Sequence, residues 1–203
     1  SSLTLTATIG TATYQDVTVS LDGTGGTATE GTDFGTVSDI TISAGATTGT
    51  ASFTPTDDSI YDATSNETAG ISISAVSGGS ATEDGNQAVT ITITDNESAP
   101  TVTLSRSSSA IDENSGSTVT ITATLSVVTF QDVTVSIDGT GGTGTEGTDF
   151  GTVSDITISA GSTTGTAAVD PTDDSVYEGD ETAGISISGV SGGGASESGS
   201  QSV

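Results

Sequence analysis

Residues 131–136 read Gln-Asp-Val-Thr-Val-Ser, and this stretch decides the fold class of the chain. Its valines alternate with small polar residues, which is the period of a β-strand with one buried face. The same six residues occur at positions 15–20, at an offset of 116 residues. That offset holds along the whole of residues 1–60, and most positions are identical in the two copies. A repeat of this length is typical of tandem domains, because solenoid units are about 20–50 residues long.

The rest of each copy continues the same alternation. Leu3, Leu5 and Ala7 alternate with Thr, and glycine-rich segments such as residues 22–26 separate the predicted strands. With about seven strands per copy, the pattern predicts an all-β fold of two tandem immunoglobulin-like antiparallel β-sandwich domains. We place the first domain at residues 1–98 and the second at residues 99–203, joined around Pro100.

The two copies are cut at different points of the repeat. The first has no counterpart of residues 99–116, and the second stops at Val203, where the first continues from Val89 to Glu97. We therefore expect the first sandwich to lack its first strand and the second to lack its last. Such a chain is typical of a segment of a longer array, in which an open sheet edge can also accept a strand from another chain.

The charge of the chain excludes several functions. It has 27 acidic residues, one basic residue (Arg106) and a net charge of −26. Nucleic-acid binding requires basic residues, so we expect no nucleic-acid partner, and we expect no direct membrane insertion. The chain has no His, Cys or Lys, which leaves no ordinary activated nucleophile or base, and we predict that it is not an enzyme.

Acidic residues cluster where predicted strands end. One cluster covers residues 57–67 and returns at residues 173–181, and others lie at residues 95–97 and 112–114. At an effective dielectric near 20, two like charges about 4 Å apart repel by about 4 kcal/mol. Hard cations with six to eight oxygen ligands suit such loops, so calcium is the predicted cofactor. Solvated acidic turns without an ion are the alternative interpretation. An EF-hand is not predicted, because residue 175 is Ser where that loop needs Gly.

Three motifs connect the chain to a known family. Residues 173–182 read DDSVYEGDET, residues 146–150 read EGTDF and residues 92–97 read TITDNE. Together they resemble the Calx-β domain, a module of sodium–calcium exchangers, an integrin subunit and giant bacterial surface proteins. In calcium-binding members, ligands come from the acidic loop, the end of the last strand and a Glu after the first strand.

The resemblance implies calcium ligands at matching positions of both copies. In the first copy these are Asp57, Asp58, the Ile60 carbonyl, Asp62, Glu67, Asp95 and Glu97. In the second copy they are Glu113, Asp173, Asp174, the Val176 carbonyl, Glu178 and Glu181. Three features depart from the family, and one of them is the terminal strand that each copy lacks, together with the ligands on it. An insertion at residues 63–66 is expected to displace Glu67, and Gly25 and Gly141 stand where the family has a ligand Asp.

These observations predict a structural repeat segment of a long extracellular protein, such as an adhesin stalk or a surface filament. We expect calcium near the domain junction to stiffen it. The expected partners are neighbouring repeats of the same protein, with a homo-oligomer or filament as a further expectation. Two alternatives remain: a calcium-dependent ligand-binding module, and a filament subunit assembled by strand exchange. The aromatic content of 3% disfavours a sugar-binding module, because it leaves little surface for stacking.

Overall fold

The computed structural model describes residues 1–62 and 66–203. Within these residues it contains fifteen strands and one short 3-10 helix, which confirms the predicted all-β class. The chain divides into two compact units. Residues 1–58 and a segment ending at Asp95 form the first, and residues from Asn96 onward form the second together with Ile60 and Tyr61. No helix of the described residues is long and apolar enough to cross a membrane.

The first unit packs a four-stranded sheet and a two-stranded sheet. Its strands are β1 (Leu3–Thr8), β2 (Val17–Gly26), β3 (Ile40–Ile42), β4 (Thr48–Phe53), β6 (Glu67–Ser77) and β7 (Ala88–Ile93). The larger sheet has the order β3-β2-β6-β7, and the smaller one pairs β1 with β4. All of these pairings are antiparallel.

The core of the first unit consists of two groups of buried side chains. Val17 and Val19 of β2 pack with Ile40 and Ile42 of β3, as the period of two requires. The second group includes Phe34 and Phe53. Their ring centroids are 4.9 Å apart and both side chains are fully buried, so this aromatic pair forms part of the interior of the unit.

The second unit has two larger sheets. Its strands are β5 (Ile60–Tyr61), β8 (Thr101–Arg106), β9 (Val119–Leu125), β10 (Val128–Thr129), β11 (Val133–Gly142), β12 (Ile156–Ile158), β13 (Thr164–Val169), β14 (Ala183–Ser191) and β15 (Ser196–Glu197). One sheet has the order β13-β9-β8-β15 and the other the order β12-β11-β14. The short strands β5 and β10 pair separately and in parallel.

A single continuous core holds the second unit together. Strands β8 and β9 contribute Val102, Leu104 and Ile121 to it, and strand β11 contributes Val133 and Val135. All five side chains are buried. The 3-10 helix, Glu113–Ser115, lies between β8 and β9 and contributes no buried residue.

Both units contain the same irregularity where their longest strands end. The pairing of β2 with β6 shifts register before Gly25, and the pairing of β11 with β14 shifts at the equivalent place. Gly142 follows with a φ of 97° and packs so closely that a Cβ would lie 2.0 Å from the Thr182 carbonyl oxygen. Only glycine fits such a position without strain. That carbonyl accepts hydrogen bonds from Thr143 and Gly144, which directs the chain into the turn described next.

Candidate metal site

The turn at residues 145–150 contains two carboxylates, Glu146 and Asp149, and both accept backbone hydrogen bonds. Asp149 Oδ2 accepts a hydrogen bond of 2.6 Å from the amide of Thr145, which fixes the side chain across its own turn. Glu146 Oε1 accepts one of 2.6 Å from the amide of Val153. The next residue, Phe150, is buried in the core. Asp149 is thus held by the fold rather than by a flexible loop.

The same turn fastens the start of the acidic loop between β13 and β14. The carbonyl of Asp149 accepts a hydrogen bond of 2.9 Å from the amide of Thr172, and the amide of Gly151 donates one of 2.8 Å to Asp170. Within the loop, Asp174 Oδ1 accepts a bond of 2.7 Å from the amide of Val176. These bonds bring a segment more than twenty residues away in sequence to the side of Asp149.

At the far end of the loop, three carboxylates converge. Oxygen atoms of Asp149, Glu178 and Glu181 all lie within 4.8 Å of one another. Glu181 directly precedes Thr182, whose amide donates to Thr143 Oγ1 at 3.0 Å, so this end of the loop is tied to the residues just before the turn. Asp149 is half-buried and the two glutamates are exposed. We call these three residues the carboxylate triad.

The charges of this region raise the pKa of two glutamates. Partial desolvation raises the pKa of Glu178 above its ordinary value, and repulsion from Asp149, Asp174, Glu181 and Glu113 raises it further. Desolvation also raises the pKa of Glu181, with added effects from the charge of Asp149, a hydrogen bond to its side chain, and the charge of Glu113. The fold therefore holds these carboxylates together against their mutual repulsion.

The donor set of the triad fits a hard divalent cation. Its ligands are carboxylate oxygens, which calcium prefers, and the spacing brings three of them around one point. A cation there would hold all three in the ionised state and remove the repulsion that raises the glutamate pKa values. Sulfur and imidazole ligands cannot contribute, because the chain has no Cys and no His.

Five predicted ligands of the second domain lie in the acidic loop and one lies outside it. Glu178 and Glu181 belong to the triad, and Asp174 and Glu113 are close enough to raise the pKa of Glu178. Asp173 and Val176 lie exposed in the same loop but are not part of the triad. Glu113 begins the 3-10 helix after β8, so a segment distant in sequence faces the loop.

The first unit builds the equivalent turn in the same way. Asp33 Oδ2 accepts a hydrogen bond of 2.6 Å from the amide of Thr29, and the Asp33 carbonyl accepts one of 2.9 Å from Thr56. Glu30 Oε1 accepts one of 2.7 Å from Val37. Asp33 therefore occupies the position of Asp149, beside the start of the first acidic loop.

The predicted ligands of the first domain all follow this turn in sequence. Asp57 and Asp58 follow β4 and are exposed, Asp62 follows β5 and Glu67 begins β6. Ile60 lies in β5, opposite Val128. Half-buried residues after β7 complete the set, namely Asp95 and Glu97. The predicted displacement of Glu67 concerns an insertion of which residues 63–65 lie outside the described residues.

The glycines that replace a family Asp lie where two strands approach closely. Gly25 faces Gly70 and Gly141 faces Gly184. A Cβ on Gly25 would lie 3.1 Å from the Gly70 Cα, and one on Gly70 would lie 2.8 Å from Gly25. The backbones thus pack against each other where a side chain would have to stand, so neither copy offers a ligand at this position.

Asp149 is a candidate ligand that was not predicted from the sequence, although it lies in the motif at residues 146–150. The signal was present, because this aspartate follows a turn glycine and occurs in both copies as Asp33 and Asp149. The backbone hydrogen bond from Thr172 to Asp149 places this aspartate beside the acidic loop, and no local sequence pattern predicts that bond.

Comparison with known families agrees with this fold and motif set. The Calx-beta domain model matches residues 3–97 and again residues 95–200. The two matches cover nearly the whole chain, so it belongs to the Calx-beta domain family and carries two such domains in tandem. The resemblance described from the sequence is thereby confirmed.

Two solved structures are similar to this chain at low sequence identity. One is the crystal structure of CBD12 from CALX1.2, with 17% identity, a TM-score of 0.41, and coverage of 93% of this chain and 74% of the other. The second is the calcium binding domain CBD12 of CALX1.1, with 15% identity and the same TM-score and coverage. No curated protein sequence matches the chain at a significant level.

Proposed function

We propose that this chain is a structural repeat segment of a long extracellular protein, an adhesin stalk or a surface filament, in which calcium bound at the acidic loops rigidifies each domain. The carboxylate triad carries the proposal. Its anchor, Asp149, is fixed to the core through Phe150, whereas Glu178 and Glu181 come from an exposed loop. A cation that joins the three would fasten the loop to the folded body.

Calcium binding would stabilise the folded state because of the charges in this loop. Without a cation, desolvation raises the pKa of Glu178 and Glu181, and repulsion from the neighbouring carboxylates raises it further. A ligand that binds only the folded state stabilises it by about 2.7 kcal/mol at 100 times its Kd. Extracellular calcium modules work with dissociation constants of about 10⁻⁴–10⁻³ M. A site of this modest affinity would therefore be filled outside the cell and largely empty in a cytosol.

A structural role fits the repeat better than a catalytic or receptor role. The two copies share most residues, including the turn that carries Asp33 and Asp149, which suits a repeated spacer. The chain has no His, Cys or Lys that could serve as an activated nucleophile or as a base in catalysis. Neighbouring repeats of the same protein are the partners that this role requires.

Assembly by strand exchange is a second candidate, which one observation favours. Among the described residues, β1 pairs with β4 alone, and its Leu3 is 50% exposed. An apolar strand with a free edge accepts a further strand readily. A filament built in this way would use the same domains and the same acidic loops.

The proposal is tested by calcium titration calorimetry on the whole chain, with hydrogen exchange of the loop amides as a second readout. We expect calcium to bind and to slow exchange at residues 171–182, and magnesium to bind far more weakly. Glu181→Gln should weaken calcium binding at the second unit by about tenfold or more, since it removes one charged ligand.

The matched control is Asp180→Asn, which removes one charge from the same loop but no member of the triad. It should retain most of the affinity. Equal losses of calcium affinity in both variants would mean that calcium binding depends only on the net charge of the loop. An absence of calcium-dependent heat and of protection at millimolar calcium would refute the proposed function.

A further inference from the structure

The second unit contains a short parallel pairing of an unusual kind. Strand β5 lies beside β10, with Ile60 opposite Val128 and Tyr61 opposite Thr129. The amide of Phe130 donates a hydrogen bond of 3.3 Å to the carbonyl of Tyr61. Thr129 is fully buried and Tyr61 half-buried. A two-residue strand is thus used to cover an edge segment.

The repeat supplies a second version of both halves of this pairing. At the offset of 116 residues, β5 corresponds to Val176 and Tyr177, and residues 128–130 correspond to residues 12–14. Within the described part of the chain, neither of these segments belongs to a strand. Tyr177 is 96% exposed and Tyr14 fully exposed. Residues 12–14 and residues 176–177 therefore lack the strand pairing that their counterparts, β10 and β5, have with each other.

The segment at residues 12–14 already has the local structure of its paired counterpart. Thr13 Oγ1 donates to the Gln15 carbonyl at 2.6 Å, as Thr129 Oγ1 donates to the Gln131 carbonyl at 2.7 Å. The Thr13 carbonyl accepts from the Gly45 amide at 2.8 Å, which matches a bond of 3.0 Å from Gly161 to Thr129. Binding would need no rearrangement of this edge.

An open groove runs along the same segment. It is lined by Ala12, Thr13, Tyr14, Ala44 and Gly45, which are small or apolar apart from the hydroxyl groups. No acidic residue is among them, which matters in a chain with a net charge of −26. The groove therefore offers backbone and apolar surface to a partner that carries a short apolar strand.

We propose that residues 176–177 of one copy of this chain pair in parallel with residues 12–14 of a second copy, with Val176 opposite Ala12 and Tyr177 opposite Thr13. The two surfaces differ, so the contact is head-to-tail and can propagate from copy to copy. This inference identifies the contact between repeats that the proposed function requires. It rests on that function only because it takes another repeat of this type as the partner. It does not require calcium.

The contact is small, so free chains should form it only transiently. In an array of linked repeats, the effective concentration of neighbouring units would favour it. Between separate chains, a disulfide can trap it, because directly opposite residues of paired strands lie within disulfide range. The chain has no cysteine of its own, so every disulfide that forms must come from the introduced cysteines.

The test uses the double variant Ala12→Cys with Val176→Cys, oxidised mildly at high protein concentration and at about 0.15 M salt, where the Debye length is about 8 Å. We expect a ladder of disulfide-linked dimers, trimers and longer species on non-reducing gels. Ala12 and Val176 are both exposed, so the variant should fold. Thr13→Cys with Tyr177→Cys tests the adjacent pair in the same register.

Two controls make the result specific. Ile60→Cys with Val128→Cys should close within one chain, because those residues are already opposite each other. Ala12→Cys with Thr172→Cys places the second cysteine at an exposed site of the same loop but out of register, and it should give several-fold fewer linked species.

Two outcomes would overturn the inference. One is a disulfide-linked ladder no stronger than that of the out-of-register control, and the other is a disulfide that closes within one chain of the test variant. Calorimetric calcium titration of the same reduced variants separates it from the proposed function. Calcium binding without the ladder would refute only the partner, and the ladder without calcium binding would refute only the calcium role.

Discussion

Strands β1 and β9 occupy the same position of the repeat and differ sharply in burial. Leu3 of β1 is 50% exposed and Leu5 is half-buried, whereas Ile121, the counterpart of Leu5, is 2% exposed. In the described residues, β9 lies between β8 and β13, and β1 has β4 as its one paired neighbour. The difference shows that burial of a strand face depends on the neighbouring strand as well as on its own sequence.

The cores of the two units reflect the same difference. Val102 and Leu104 of β8 join a single core group in the second unit, together with residues from both sheets. The buried residues of the first unit fall into two groups, one around Val17 and Val19 and one around Phe34. Strand β8, which pairs with β9, thus contributes to a single core group in the second unit. Because the first unit has no such strand in the described residues and its core falls into two groups, we expect it to be the less stable of the two.

The largest effect should come from truncating the buried phenylalanines. Phe34→Ala and Phe150→Ala should each destabilise their own unit by about 3–5 kcal/mol, because each leaves a large cavity. Since small domains are stable by about 5–15 kcal/mol, Phe34→Ala should bring the first unit close to unfolding. Hydrogen exchange, read separately for each unit, measures both effects. A loss below about 1 kcal/mol in the first unit would contradict its assigned core.

Completing the sheet of the first unit should remove much of the difference. A copy of residues 99–116 fused before Ser1 would supply the counterpart of β8. It would cover Leu5 and Ile9, since β8 pairs with β9 at the matching residues Ile121 and Leu125. Full burial of a leucine or isoleucine contributes about 1.5–3 kcal/mol, and Leu5 and Ile9 are partly covered already, so we expect a gain of about 2 kcal/mol. Urea unfolding, followed through amides of the first unit, measures it.

The control for that fusion carries Asp in place of the added copies of Val102 and Leu104. It has the same length and cannot bury an apolar face against β1. An equal gain from both fusions would show that strand β1 does not limit the stability of the first unit.

Most of the strand pattern could be predicted from the sequence, and the site only in part. Alternation at Val133 and Val135 fixes which face is buried, and the structure buries both side chains. The meeting of Asp149 with Glu178 depends on a turn bond to Thr172, which no local pattern reveals. The pairing of β5 with β10 involves two residues, too few to produce a period.

Exchanging one core residue between the copies should have a smaller effect. Phe53 packs against Phe34 in the first unit, and its counterpart in the second unit is Val169. Phe53→Val should cost about 1–3 kcal/mol, because it removes an aromatic contact and leaves a smaller cavity than alanine would. Thermal unfolding gives the value. Val169→Phe is the reciprocal variant, and a gain from it would mean that the second unit has room for the ring.

The pH dependence of the second unit should provide the smallest effect and the most direct view of the triad. In the metal-free chain, the folded state raises the pKa of Glu178 and Glu181 above the value of 4.5 for the free side chains. Between 4.5 and the raised values, the folded state holds more protons than the unfolded state. Stability contributed by these groups therefore increases as the pH falls through that window, and it declines again as the pH rises.

A comparison with the double variant Glu178→Gln and Glu181→Gln isolates this contribution, because all other acids remain in both proteins. Urea midpoints of the second unit, measured from about pH 7 down to about pH 4, should rise relative to those of the variant. Excess calcium should abolish the difference in slope, since a bound cation keeps both carboxylates ionised and attracts them. If the metal-free protein and the variant show parallel curves, the carboxylates do not repel in the folded state. Calcium would then have no repulsion to relieve at this loop.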